Sequence, residues 1–535
     1  MLNDQPEEVR NRLLRRADWR FLLPNPNPTN SICFANGSLA KAVGLISTTM
    51  VETTADYPSN KFDLAVAVDP DIATLKRAWS ALAPGGSLYT EWHSYWVPRV
   101  RQIRKRLEAV GFEEINYFSA RPNPDLTTPE VWLPYKTPLD LNGFLANLKC
   151  TGKLGSPVVR ALRQLARFLN SLISLGSPVS VAARKKAFSA ERARKTRNPS
   201  AVIPSDFRNE LMKTIRAGWS EWGFGETPKR LEWMLLTGGQ RSISKVVAVV
   251  SGDEDKKGQL AIKIPRVFES ISSLTREAEN LRTLSTKGNL PGVPKLLFCQ
   301  QHTGVLTVGE TFLAGIPLFK LLCHDNCRDL ALTATRWLAD FAGRAEPIPP
   351  ATWRKRLIDP VIADFDASFG PILDTGLFRT STDCLATLGP LPIVCEQRDF
   401  APWNLLITDA GNLAVLDWES SELQGLPALD LIYFLTYMTF SLNKAKSLDD
   451  FQHSYSAMLN PSTLSGSIAD ECLRLYLIQT GLSPALLRPL RLLTWLIHSR
   501  SEYQRLVADS AGKPVRDTLR RSLFLNLWET ELRQN

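Results

Sequence analysis

The sequence predicts an α/β domain with a mainly parallel sheet, followed by an α+β domain whose strands come first and whose helices come last. Three observations carry this expectation. Between Ser31 and Phe118, short apolar runs alternate with helical stretches, as in chains that build parallel sheets. Over residues 187–205 the apolar period disappears, and basic residues with Pro199 and Pro204 take its place. Beyond it, three closely spaced apolar runs lead into a long remainder in which helical patterns dominate.

In the first half, Ser31–Ala35 reads as a short strand and Phe62–Val68 as a second, buried one. A helix over Ala73–Leu82 stops at Ala83-Pro84-Gly85-Gly86, and Ser87–Trp92 makes a third strand. Pro98–Val110 is a basic helix ended by Gly111, ahead of Glu114–Phe118. Val158, Leu162, Leu165, Leu169 and Leu172 share one helix face with Arg160, Arg163 and Arg167 opposite. That helix is read as packing on its own domain, although such a pattern also suits an anionic membrane surface. Val179–Ala183 fits a last strand, although the run is too short and too alanine-rich to rely on.

This order resembles the second half of a class I S-adenosylmethionine-dependent methyltransferase. The resemblance implies a cofactor turn at Ala35-Asn36-Gly37-Ser38, which holds one glycine where the family carries three. It also implies a ribose-binding acid, for which Glu52 and Asp56 are the candidates. A degenerate structural domain, an S-adenosylmethionine-binding one and an unrelated α/β domain all stay open.

A length of 535 residues exceeds what one core supports, so two or three domains are expected. With 44% apolar and 22% charged residues, the chain is globular and not disordered. The net charge of +10 admits anionic partners. The basic stretch at 187–205 lacks the interleaved aromatics of a nucleic-acid arm, so no nucleic-acid partner is expected. Eight scattered cysteines, including Cys323 and Cys327, read as free thiols in a reducing compartment. The first residues lack a signal-peptide apolar core, and the longest apolar run, Leu431–Leu442, is too short to span a bilayer. The expected location is the cytoplasm.

In the second half, Glu232–Leu236, Lys245–Val250 and Gln259–Ile264 read as strands, with Gly238 and Gly239 in the first turn. Such a turn brings backbone N–H groups close to phosphate oxygens. Lys263 is the only charge inside an apolar strand and needs a partner there. Glu277 and Glu279 lie beside the helix face of Leu274, Ala278 and Leu281. Farther on, Asp399 and Asn404 sit five positions apart, and Asp417 ends the run Leu413–Leu416. Asp409–Asn412 is the turn between two strands, so these polar residues lie at the ends of a hairpin. One carboxylate to deprotonate a hydroxyl, with an Asn and a second carboxylate to hold magnesium, is the set that phosphoryl transfer needs.

Asp399-Phe400-Ala401-Pro402-Trp403-Asn404, followed by Leu416-Asp417-Trp418-Glu419, resembles the catalytic segment of the aminoglycoside phosphotransferase and choline kinase superfamily. The resemblance covers about residues 205–535 and implies a two-lobed protein-kinase-like domain with ATP and Mg2+ as cofactors. It implies Asp399 as catalytic base, Asn404 and Asp417 as metal ligands, and Lys263 at the donor phosphates, paired with Glu277 (or Glu279). Gly425-Leu426-Pro427-Ala428-Leu429-Asp430 fits a further family segment, in which Asp430 braces the loop. Gln397 stands where these enzymes commonly carry His, which puts the loop geometry in question. Trp495, His498 and Tyr503 are expected in the acceptor wall.

The expected organisation is an extension at 1–27, the α/β domain at 28–186, a linker at 187–205 and the kinase-like domain at 206–535. Its lobes fall at about 225–310 and 315–535. The expected activity is ATP-dependent phosphorylation of a hydroxyl on a small molecule. Two alternatives are an additional S-adenosylmethionine-dependent activity and a nucleotide-binding module without turnover.

Overall fold

The computed structural model describes residues 6–52, 57–93, 100–122, 124, 128–134, 178–186, 206–239, 241–252, 258–288, 290–509 and 516–534. The helix read at Val158–Leu175, the linker at 187–205 and Asp56 lie outside them. The chain divides into two compact units. The first takes Met1–Asn147, Gly152–Thr275 and Leu296–Phe312, and the second takes Leu148–Thr151, Arg276–Lys295 and Leu313–Asn535.

The first unit is built on one sheet. Its strands are β1 (Asn30–Phe34), β2 (Thr49–Glu52), β3 (Phe62–Val68), β4 (Leu82–Trp92), β5 (Phe112–Arg121), β6 (Val131–Pro134), β7 (Val179–Lys185), β8 (Leu231–Leu236), β9 (Val246–Gly252), β10 (Leu260–Ile264), β11 (Leu296–His302) and β12 (Val305–Thr311). They are ordered β11-β12-β10-β9-β8-β6-β5-β7-β4-β3-β1-β2. Only β2, β1, β3 and β4 pair in parallel. From β4 through β7, β5, β6 and β8 to β11, every described pairing is antiparallel. The parallel sheet expected for the first half therefore exists as four strands within a larger mixed sheet.

Two features of this sheet go beyond the sequence reading. The Val179–Ala183 run, offered as a last strand, is β7, and it sits inside the sheet between β4 and β5 with both neighbours bonded to it. It is buried along nearly its whole length, so its pattern does not alternate. The second is β6, which pairs with β8 through Val131–Leu236 and Trp132–Leu235 and joins strands from the two halves of the sequence into one ladder.

Residues 6–23, expected within an extension, form part of this core. The helix Glu7–Arg16 carries acids in its first turn and arginines in its last, in accord with its dipole. Past it, Trp19 is fully buried and stacks on Tyr89 of β4 at 3.7 Å. Arg16 makes a two-pronged bond to Glu91 at 2.5 Å. Asp18 accepts from Arg266, just past β10, at 3.1 Å, with both side chains fully buried. Breaking such a pair leaves an uncompensated buried charge, so each partner fixes the other's place.

In the second unit, the remaining strands are β13 (Ile316–Pro317), β14 (Val394–Glu396), β15 (Leu405–Ile407), β16 (Leu413–Val415) and β17 (Glu422–Gly425). They make a three-stranded sheet β13-β15-β16 and a two-stranded sheet β14-β17. β15 and β16 form the expected hairpin, closed by Thr408 N–H donating to Asn412 and Gly411 N–H to Thr408. The rest is helical. Leu429–Leu442 is buried on nearly every side, which explains why its sequence shows no polar face. Among the described residues, no helix is long and apolar enough to cross a membrane.

Candidate active site

The loop between β14 and β15 is held from below by Asp430, in the first turn of the Leu429–Leu442 helix. Its two carboxylate oxygens accept the backbone N–H groups of Gln397 at 2.6 Å and Arg398 at 2.8 Å. Burial, with Glu396 nearby, pushes the Asp430 carboxyl up to about 7. Glu396 accepts Leu426 N–H at 2.5 Å and Arg398 at 3.1 Å. A Cβ on Gly425 would lie 1.9 Å from the Glu396 carboxylate, so the glycine of the Gly425–Asp430 segment is a steric requirement. Arg398, Asp417 and Ala428 all have positive φ, at 65°, 61° and 66°. Non-glycine residues hold that conformation only where surrounding bonds over-determine it, and such strain gathers at functional sites.

Gln397 resolves the question raised by its departure from the family pattern. Its side-chain Nε2 donates to the carbonyls of Leu416 at 3.0 Å and Asp417 at 2.7 Å, and its Oε1 accepts Asp399 N–H at 2.8 Å. The amide thus uses both donors and its acceptor to join the Asp399 loop to the Asp417 segment.

Asp399 is half-buried. One carboxylate oxygen accepts from Asn404 Nδ2 at 2.7 Å, and the other faces the Tyr433 hydroxyl at 3.5 Å. Burial first and the Asp417 charge second raise its carboxyl to about 7. Asn404 Nδ2 also donates to the Asp399 carbonyl at 2.9 Å, so its amide hydrogens face Asp399 and its Oδ1 is not used on that residue. Asp417 opens the turn Trp418–Ser420. The helix Ile271–Ser285 steadies that turn: Trp418 N–H donates to Glu277 at 3.1 Å, and Asn280 donates to the Trp418 carbonyl at 2.9 Å. Glu277 is fully buried there.

Among the described residues, no cluster of three His, Cys, Asp or Glu could hold a metal by itself. One amide oxygen and one carboxylate suit Mg2+, which keeps waters and takes nucleotide phosphates as ligands. That donor chemistry fits Asn404 and Asp417.

Residues 243–465 match the phosphotransferase enzyme family. The C-terminal part of the chain contains a domain of this family. Among solved structures, the chain is similar to the ADP-bound aminoglycoside phosphotransferase APH(2'')-Ib, at 12% identity over 59% of this chain and 97% of that one, with a TM-score of 0.34. The streptomycin–ATP complex of APH(2'')-IIa gives 14% identity, coverage of 58% and 97%, and a TM-score of 0.35. APH(3'')-Id from Streptomyces rimosus gives 12%, 61% and 98%, with 0.31. No curated protein matches the sequence.

Other residues expected at the donor end of the phosphotransferase domain lie in the first unit. Lys263 on β10 forms an ion pair with Glu310 of β12 at 3.0 Å, both nearly buried. Glu310 was not foreseen, although the sequence holds a signal for it. In the β10–β12 register Lys263 faces Val308, so Glu310, two residues on, projects from the same face. Gly239 has φ +102°, and a Cβ there would meet the Ser244 side chain at 2.5 Å. Its carbonyl accepts from Asn11 and Arg15 at 3.3 Å, while the Gly238 carbonyl accepts from Arg266 at 3.2 Å. Ser242 N–H donates to Glu7 at 2.5 Å. The glycine turn is therefore anchored by the N-terminal helix and Arg266.

Of the residues expected in the acceptor wall, His498 stacks on Tyr433 at 4.0 Å. Trp495 is fully buried with its indole N–H on Tyr455 at 2.9 Å, a core position, and Tyr503 packs on Phe369. Tyr433, whose hydroxyl faces Asp399 at 3.5 Å, was missed. Inside a helix buried on nearly every side, nothing marks one Tyr as facing a carboxylate.

Proposed function

We propose that the chain is an ATP-dependent phosphotransferase acting on a hydroxyl of a small molecule. The observation that carries this is the loop in which Asp399, Asn404 and Asp417 are joined by Gln397 and braced by Asp430. Asp399 is the catalytic base: it orients the acceptor hydroxyl and takes its proton as the acceptor oxygen bonds to the γ-phosphorus and the bond to ADP breaks. Its Oδ1 is the less engaged oxygen, facing the Tyr433 hydroxyl at 3.5 Å while Oδ2 accepts from Asn404 at 2.7 Å. Asn404 and Asp417 would hold Mg2+, which supplies neutralisation of phosphate charge when bound. Lys263, Glu277, Gly238 and Gly239 are assigned to the donor end, with Glu310 fixing the Lys263 ammonium. The family match over residues 243–465 supports the assignment.

The test is ADP formation with ATP and Mg2+ across a panel of hydroxylated acceptors, with Asp399→Asn as control. Activity that survives Asp399→Asn would sink the role given to Asp399, and absence of nucleotide binding would sink the whole reading.

A second reading, that the first half binds S-adenosylmethionine, is favoured by one observation. β1 runs into a helix through Gly37, whose φ is +71° and whose Cβ position is open space. Calorimetric titration with S-adenosylmethionine decides it, and no detectable heat counts against it.

A further inference from the structure

The segment between β8 and β9 already holds an anion, and the anion is the protein's own. Glu7 opens the helix Glu7–Arg16 and turns its carboxylate onto Ser242. Ser242 N–H donates to one carboxylate oxygen at 2.5 Å, and the Ser242 hydroxyl donates to the other at 2.9 Å. Ser242 is only 1% exposed beneath it. A backbone N–H and a hydroxyl that converge on two oxygens of one anion, just past a pair of glycines, suit a phosphate as well as a carboxylate.

The register of the sheet ties this segment to Lys263. Lys263 pairs with Val247 across β10 and β9, and Val247 pairs with Leu236 across β9 and β8. Leu236, Val247 and Lys263 thus form one row, about 10 Å from end to end at the usual strand spacing. Thr237-Gly238-Gly239 follows Leu236 directly, so the glycine turn opens from the row that carries the lysine. Glu7 can leave Ser242 while the helix stays. Asn11, Leu13, Leu14 and Arg16 are buried, and Arg16 grips Glu91 with both prongs. The exposed first turn is also held by Arg10 on Glu269 at 2.9 Å, so only one side chain has to move.

We propose that Glu7 is an internal competitor of the donor nucleotide: its carboxylate takes the place of a phosphate on Ser242 and swings out before the nucleotide seats. The proposal rests on the phosphotransferase reading and adds a brake to its donor site. One anion replaces another on the same N–H and hydroxyl. Nucleotide affinity is therefore lower than the open turn would give, by the fraction of time that Glu7 is off Ser242. A fraction of about a tenth to a fifth weakens binding about tenfold to fivefold. A support that merely held the turn in shape for the nucleotide would act with the opposite sign.

The experiment is calorimetric titration of the full chain with ADP and Mg2+, and separately with adenosine, for the wild type, Glu7→Ala and Glu7→Gln. Glu7→Ala is expected to bind ADP about fivefold to tenfold more tightly. Adenosine binding stays unchanged, because adenosine has no phosphate to meet Ser242. Glu7→Gln keeps the length of the side chain and drops its charge. It is expected to shift ADP in the same direction, and it serves should Glu7→Ala disturb the helix. ADP binding that is unchanged or weaker in both variants overturns the proposal and leaves the phosphotransferase reading standing. Equal tightening of ADP and adenosine overturns it as well, since the effect then does not act through phosphate. Failure of the wild type and both variants to bind ADP overturns the phosphotransferase reading, and this proposal with it.

Discussion

Gln397 and Asp417 are joined by a hydrogen bond of 2.7 Å from the Gln397 side-chain amide to the Asp417 carbonyl. The same amide accepts the N–H of Asp399 at 2.8 Å, so one side chain sets the spacing between Asp399 and Asp417. Gln397→Ala removes this tie and leaves a buried N–H and two carbonyls without their partner. A stability loss of about 2–3 kcal/mol is expected in urea unfolding, with a fall in kcat larger than any change in the KM for ATP.

Asp430 receives two backbone N–H groups, one on each oxygen. Asp430→Asn keeps the shape but turns an NH2 toward one of those donors. Loss of about 2–4 kcal/mol is expected, visible as a lower melting temperature, with activity lost in proportion to loop disorder.

Asp399 carries a carboxyl raised from 3.8 to about 7 by burial and by Asp417. As the base it must be ionised, so kcat/KM falls with a one-proton slope as pH drops through about 7. The folded chain holds a proton on Asp399 that the unfolded chain releases above its lower pKa. The stability tied to that proton is therefore full at acid pH and is lost as pH rises through the folded value. Asp399→Asn should raise the unfolding free energy at pH 8 more than at pH 5, by roughly 1–2 kcal/mol, while lowering kcat by about 10²–10⁴. Equal effects at both pH values would refute the assigned ionisation.

Lys263 and Glu310 form a nearly buried pair on adjacent strands. Lys263→Met is expected to raise the KM for ATP about tenfold or more, and Glu310→Gln to do so more mildly, since the ammonium stays but is less firmly placed. A Glu310→Gln enzyme with unchanged kinetics in steady-state assays would remove Glu310 from the donor site.

Much of the second half is legible because its signals are local. The Asp399–Asn404 spacing, the Asp409–Asn412 turn and the Gly425–Asp430 segment each lie within a few residues, and the structure brings them together as read. Glu310, Tyr433 and the use of Gln397 depend on partners far along the chain, which no local pattern reports. The first half is less legible where burial erases periodicity. β7 reads as an unremarkable Val-Ser-Val-Ala-Ala because neither face meets water, and the N-terminal segment gave no sign that Asp18 would meet Arg266.

The pairing of β6 with β8 has a practical sequel. Someone dividing this protein at its apparent seam, in order to study the phosphotransferase part alone, would strip β8 of a neighbour and bare a row of backbone donors and acceptors. An edge of that kind recruits strands from other molecules. The shortened protein is expected to clump on expression, and heating the intact one should melt β1–β12 as a single cooperative event. The heat tolerance of β8–β12 is thus expected to depend on the strands β1–β7 that precede them in the sequence.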